Sequence, residues 1–204
     1  GRGLRRAGRT EIDRRGGNGA WTLSVQLATT KGLLQIGTGR AAASDSGERR
    51  IVRIDGAPAR TQAELAKLAS FVWLTPQMDR LFTEGAGARR RFLDRLVLGF
   101  DPEHGNALAA YERAMRERLH LLREGPADPS WLAALEETMA AQGVAIAASR
   151  RDVAMQIDQA CATNAGPFPR ARLVMAGEVE ASLGEMPALA AEDALRQRFA
   201  AQRR

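Results

Sequence analysis

The sequence predicts an α+β fold, and three observations predict it. The first third is β-rich, with one stretch that alternates apolar and polar residues at period two and a second that follows it after a turn-like break. From Pro76 onward the apolar residues recur at helical spacing almost without a break. Two long helical stretches are joined by a tight Gly/Pro loop, EGPADPS at 124–130, so they must fold back as an antiparallel hairpin.

Taken in order, WTLSVQLA at 21–28 alternates as a half-buried strand, and GLLQIGTG at 32–39 follows after the turn-like TTKG. A polar loop, AAASDSGERR, leads into RIVRIDG at 50–56, where Asp55-Gly56 is a hairpin turn signal because both residues tolerate positive φ. Thr61 with Glu64 three positions on forms a capping box for a helix over 61–69. FVWLTP at 71–76 is a continuous apolar run ended by Pro76, which predicts a buried strand.

Beyond Pro76 a short helix at 77–83 leads into GAGARRRFLDRLVL, where Phe92, Leu93, Leu96, Val97 and Phe100 share one face. Asp101-Pro102 opens the next helix, whose stripe is Leu108, Tyr111, Met115, Leu119 and Leu122. Ser130, or Asp128 with Pro129 just inside, starts a very long helix to about Cys161, with Trp131, Leu135, Met139, Ile146, Val153 and Ile157 on its stripe. The two arms of the hairpin come to roughly 33 and 48 Å at 1.5 Å per residue. NAGPFPR at 164–170 breaks the pattern, ARLVMAG returns to strand character, and the chain ends as a helix. The expected organisation is a β-rich part at 1–76, a helical arm at 77–165 and a return segment at 166–204.

Composition bounds the function. The chain has 204 residues, 45% hydrophobic and 26% charged, enough for a real core. Thirty basic against 24 acidic residues give a formal charge of +6, nearly all of it arginine. One cysteine, Cys161, excludes an internal disulfide, suits a reducing cytosol and reads as a small apolar residue on a helix. His104 and His120 have no second His or Cys at ligand spacing, which argues against a metal site. No apolar run approaches the roughly 18 residues of a membrane span. The sequence begins with a Gly/Arg run and no methionine, which reads as the interior of a longer protein.

The chemical inventory is thin. There is no phosphate-loop motif, no G-x-S-x-G, no H-E-x-x-H and no Cys/His cluster. GRGLRR at 1–6 and GTGR at 37–40 read as turns. Glu136-Glu137 and Glu112/Glu117 on arm helices read as solvated carboxylates or i,i+4 partners of arginine. Nothing here makes a self-sufficient enzyme.

The arginine triplet Arg89-Arg90-Arg91 is different, because helix N-termini favour anions and these cations sit at one. The spacing predicts an i,i+4 pair between Arg90 and Asp94, with Arg91 also in reach of Asp94. It leaves at least one guanidinium to meet a phosphate bidentately. The pairs Arg5-Arg6, Arg14-Arg15, Arg49-Arg50 and Arg203-Arg204 each read as solvated edge.

The order FVWLTPQMDRLFTEGAGARRRFLDRLVLGFDPEHGNALAAYERAMRERLHLL resembles the heart of the RecF family, bacterial recombination and replication-repair ATPases. The signature is a buried strand ending at a Pro turn, then a Gly loop, then Arg-Arg-x-Phe-Leu-Asp, filled here by Arg90-Arg91-Phe92-Leu93-Asp94, or from Arg89 one step earlier. Tyr111 and Arg118-Leu119-His120-Leu121-Leu122 fill the arm helix, RRIVRIDGAPAR the hairpin, and GRGLRR the segment after the phosphate-loop helix. The resemblance implies the β-rich lobe of an ABC/SMC-type ATPase head with an inserted antiparallel helical arm. It places this chain in the middle of such a protein, between the phosphate loop and the later signature and magnesium-binding elements. ATP and Mg would then belong to the full-length protein, a slow DNA-dependent ATPase, with no cofactor expected on these residues.

The implied activity is ATP-dependent binding of single-stranded or gapped DNA by a cytoplasmic homodimer, recombinase loading through mediators such as RecR, and SOS induction. The implied site residues are Arg89, Arg90, Arg91, Arg5 and Arg6 for DNA and Gln77 for a Q-loop-like role toward ATP. Gln77 stands where the family usually has an acid, His120 and Asp55 where it usually has Asn. The rival expectation is a helical protein–protein module, docking through the hairpin stripe with no DNA or nucleotide binding of its own.

Overall fold

The structure, a computed structural model, describes residues 14–30, 32–40, 51–59, 64–65, 68, 78, 80–125, 128–163, 166–167 and 169–203. The chain divides into two units, Gly1–Ala69 and Ser70–Arg204. Together they make an α+β chain.

In the first unit, β1 (Trp21–Thr29), β2 (Gly32–Arg40), β3 (Ile51–Ile54) and β4 (Ala57–Pro58) form an antiparallel sheet in sequence order. The register pairs Val25 with Ile36 and Ile36 with Ile54, so the apolar alternates of three strands share one face. Ile36 and Val52 are buried there, whereas Leu23 and Val25 of the edge strand stay exposed, so β1 is more open than its alternation predicts. Asp55 and Gly56 both take positive φ, 48° and 82°, as the turn signal requires. Asp55 is held twice by Gln35: its N–H donates to the Gln35 carbonyl at 2.8 Å, and its Oδ1 accepts from the Gln35 N–H at 2.8 Å.

The second unit is helical: α1 (Ala86–Phe100), α2 (His104–Glu124), α3 (Pro129–Thr163), α4 (Glu178–Glu185) and α5 (Ala188–Ala201). At 1.5 Å per residue, α2 and α3 run about 32 and 52 Å, and they form the antiparallel hairpin. Asp128 caps α3, its Oδ1 accepting from the Ser130 N–H at 2.8 Å and the Ser130 hydroxyl at 2.7 Å. The other four helices all pack on α3. Its buried residues include Leu132, Met139, Ala140, Val144, Ala147 and Ala154. A methyl group on Gly143 would lie 3.2 Å from Leu195 Cδ2 and 3.4 Å from Tyr111 Cε2, so glycine there lets α2 and α5 close on α3 together.

Several expectations are corrected. In place of a short α-helix over 77–83, the described residues there make tight turns, with Leu81 N–H donating to Met78 O and Thr83 N–H to Arg80 O, each at 3.0 Å. The inner face of α2 runs through Ala114 and Arg118, while Met115 and Leu119 stand 42% and 45% exposed. Trp131 is likewise half exposed, because α3 turns Leu132 inward instead. The segment 171–177 joins no strand; the Leu173 N–H is pinned to Asp158 Oδ1 at 2.8 Å on α3. The α4 helix was not foreseen. The 71–76 strand and Thr61 of the capping box lie outside the described residues.

Candidate functional site

The arginine helix begins without a cap. Gly85 supplies no side-chain acceptor, and the first turn of α1 holds no acidic residue. Its leading N–H groups therefore point outward with the positive end of the helix dipole. Arg89, Arg90 and Arg91 are all exposed. Arg89 donates to the Glu84 carbonyl at 2.8 Å. A methyl group on Gly87 would lie 3.3 Å from Arg91 Nη1 and 4.0 Å from Arg90 Nη2, so both guanidinium groups reach back over the first turn. Cations and free amides thus gather at one helix end.

The expected Arg90–Asp94 pair is absent. Asp94 turns the other way, into the packing of α1 on α2 and α3. Its Oδ1 accepts from Arg150 Nε at 2.7 Å and its Oδ2 from Arg150 Nη2 at 3.0 Å. His104 Nε2 lies 3.0 Å from the same Oδ1. Arg150 Nη1 also faces Glu180 Oε1 of α4 at 3.6 Å. His104 is fully enclosed, and among the described residues its Nδ1 has no hydrogen-bond partner. Burial pushes the Asp94 carboxyl up, but the hydrogen bonds and positive charge of His104 and Arg150 outweigh it and hold the group below the ordinary carboxylate range. The physical reason for the correction is competition. A two-point guanidinium in a partly buried site outbids a solvated neighbour one turn away.

A second carboxylate departs from expectation. Glu136, expected on a solvated face, is fully buried. Arg118 Nε donates to its Oε1 at 2.9 Å, and Arg203 Nε reaches both oxygens at 2.9 and 3.0 Å. Arg118 Nη2 also donates to the Phe199 carbonyl at 2.7 Å, so the cluster joins α2, α3 and the end of α5. Burial again opposes ionisation, and the two arginines again hold the carboxyl below its ordinary value.

Sequence reasoning missed Arg150, His104, Glu180, Arg118 and Arg203 as partners. One signal was there to read: Arg150 falls three and four places from Ala147 and Ala154, on the apolar stripe of α3, and a charge on such a stripe needs a counter-charge. Of the expected site residues, Arg89, Arg90 and Arg91 come together on one turn. Arg5, Arg6 and Gln77 lie outside the described residues. Among the described residues no group of three His, Cys, Asp or Glu side chains is placed together to hold a metal ion. No described helix is long and apolar enough to cross a membrane.

No family model matches the chain. Curated proteins do. The DNA replication and repair protein RecF of Mesorhizobium japonicum is 45% identical over 204 residues, covering 98% of this chain and 53% of its own length. That of Rhizobium etli is 43% identical over 197 residues, covering 95% and 52%. The chain therefore spans about half the length of the curated relatives it matches. Among solved structures, the recombination mediator protein RecF-ATPrS of the RecFOR pathway superposes with a TM-score of 0.77 at 16% identity, over 99% of this chain and 54% of the other. A second, RecF-ATP, gives 0.68 over 90% and 49%. At that identity the likeness is one of fold.

Proposed function

The chain belongs to the RecF family over the stretch it shares with those relatives, and on that premise we propose that it is part of a DNA replication and repair protein. Within it, Arg89, Arg90 and Arg91 meet the phosphates of single-stranded or gapped DNA. The observation that carries this reading is the state of Arg90 and Arg91: among the described residues neither meets a carboxylate, and both reach over a helix N-terminus that has no side-chain cap. Such an end offers cations and amides to an anion at once. It reads no base edge, so specificity rests on DNA shape and strand continuity.

From family membership we extend the same role to Arg5 and Arg6, and a Q-loop-like role toward ATP to Gln77. The whole protein would act as an ATP-dependent dimer in the cytoplasm, engage a mediator such as RecR, and promote recombinase loading and SOS induction. ATP and Mg would belong to that whole.

A second reading also has an observation behind it. Met115, Leu119 and Trp131, expected on the packed stripes, stand 42%, 45% and 50% exposed. A partner protein docking on the hairpin would cover such side chains. Salt titration of DNA binding separates the two. The phosphate reading expects log K to fall linearly with log salt, and the Arg89/Arg90/Arg91→Ala variant to lose about two to three units of slope with helicity intact. A flat dependence, or no DNA binding at low salt, favours the docking module.

A further inference from the structure

Asp94 is the acid closest in sequence to the triplet, four residues after Arg90 and three after Arg91. On an isolated helix it would pair with one of them. In the folded unit both of its oxygens are taken by Arg150, with His104 sharing Oδ1. Asp94 and Arg150 are 13% and 14% exposed, so the pair is shielded from salt and water in a way that a surface pair is not. Arg150 is too enclosed to be a good phosphate ligand itself, yet its charge decides what Asp94 does.

We propose that Arg150 is a positioning residue that acts as a competing cation: by occupying Asp94 from behind, it keeps this carboxylate from neutralising Arg90 and Arg91. This rests on the reading that these two arginines face phosphate, and it adds a residue 56 positions from Asp94 to the control of that surface. Removing Arg150 leaves Asp94 Oδ2 without a partner. The carboxylate then turns along the helix and captures a guanidinium from the triplet. DNA binding falls although no DNA contact has been deleted.

The test is a double-variant cycle in the intact protein, followed by fluorescence anisotropy with gapped DNA over a salt series. Arg150→Gln is expected to bind about two- to fivefold more weakly, the span of an exposed ion pair, with a salt slope shallower by about one. Adding Asp94→Asn restores both, because a neutral amide cannot neutralise an arginine. A purely structural role for Arg150 gives the opposite order, with the double variant no better than the single. Arg150→Lys keeps a cation against Asp94 and binds within about twofold of the wild type.

A DNA-free readout runs beside it. In NMR spectra, the Nε–H signal of Arg90 or Arg91 gains protection from exchange in Arg150→Gln and loses it in the double variant. Circular dichroism at the same temperature checks the fold. If Arg150→Gln loses helicity, the Arg150→Lys variant decides: wild-type slope and unprotected Nε–H signals support the proposal, while a shallow slope overturns it. If Arg90→Ala and Arg91→Ala leave DNA binding unchanged, the phosphate reading fails. If they weaken it while Arg150→Gln binds like the wild type, or the double variant is not rescued, the competing-cation role alone fails.

Discussion

Arg203 lies 67 positions beyond Glu136, yet its Nε meets both oxygens of that carboxylate at 2.9 and 3.0 Å, opposite Arg118. Glu136 is fully buried, so removing its charge strands two guanidinium groups around a neutral side chain. Glu136→Gln is expected to cost about 3 kcal/mol, the lower part of the range for breaking a buried pair from one side. Arg203→Ala should cost less than Arg118→Ala, because Arg203 is 26% exposed and Arg118 12%. Arg118 also holds the Phe199 carbonyl. Urea unfolding followed by circular dichroism measures all three.

Acid should weaken the helical unit, and the sign follows from the two carboxylates. Asp94 and Glu136 both ionise below the ordinary range when folded. The unfolded chain therefore takes up protons first as the pH falls. Stability is fully present at neutral pH and is lost from about pH 4 downward. The urea midpoint should drop between pH 7 and pH 3, and Glu136→Gln should show a smaller drop than the wild type.

The three arginines of α1 should not be equal. Arg89 already donates to the Glu84 carbonyl, whereas Arg90 and Arg91 reach over the first turn without a carboxylate. Arg90→Ala and Arg91→Ala should each lower the salt slope of DNA binding by about one. Arg89→Ala should lower it by less. Equal effects at all three positions would mean that the Glu84 contact yields freely to phosphate.

Gly143 offers a packing test. Alanine gains helix propensity of about 1 kcal/mol but presses on Leu195 Cδ2 at 3.2 Å and Tyr111 Cε2 at 3.4 Å, so Gly143→Ala should be close to neutral. Gly143→Leu has no room and should destabilise by about 1–3 kcal/mol. Thermal melts of the two variants, read at 222 nm, check both values.

What was legible in the sequence was local. The alternation of β1, the Asp55-Gly56 turn, the Asp128 cap and the hairpin each depend on residues within a few positions of one another. The helix faces were less legible. On α2 the inner face carries Ala114 and Arg118, so a rule that sends large apolar residues inward picks Met115 and Leu119 instead. The site was half legible for the same reason. The triplet shows in the sequence, but its freedom depends on Arg150, and no local pattern ties position 94 to position 150. Glu136 reads as solvent-facing until two distant arginines close over it.

The four shorter helices of the second unit share one principal neighbour, α3. None of them keeps its hidden face once that neighbour melts. Melting of α3 therefore exposes all four at once, whereas an outer helix that opens alone leaves the rest still packed on α3. Amide exchange from the most protected positions of α3 then reports the largest opening free energy of the unit, and the surface at the start of α1 lasts only while α1 keeps its seat on that helix.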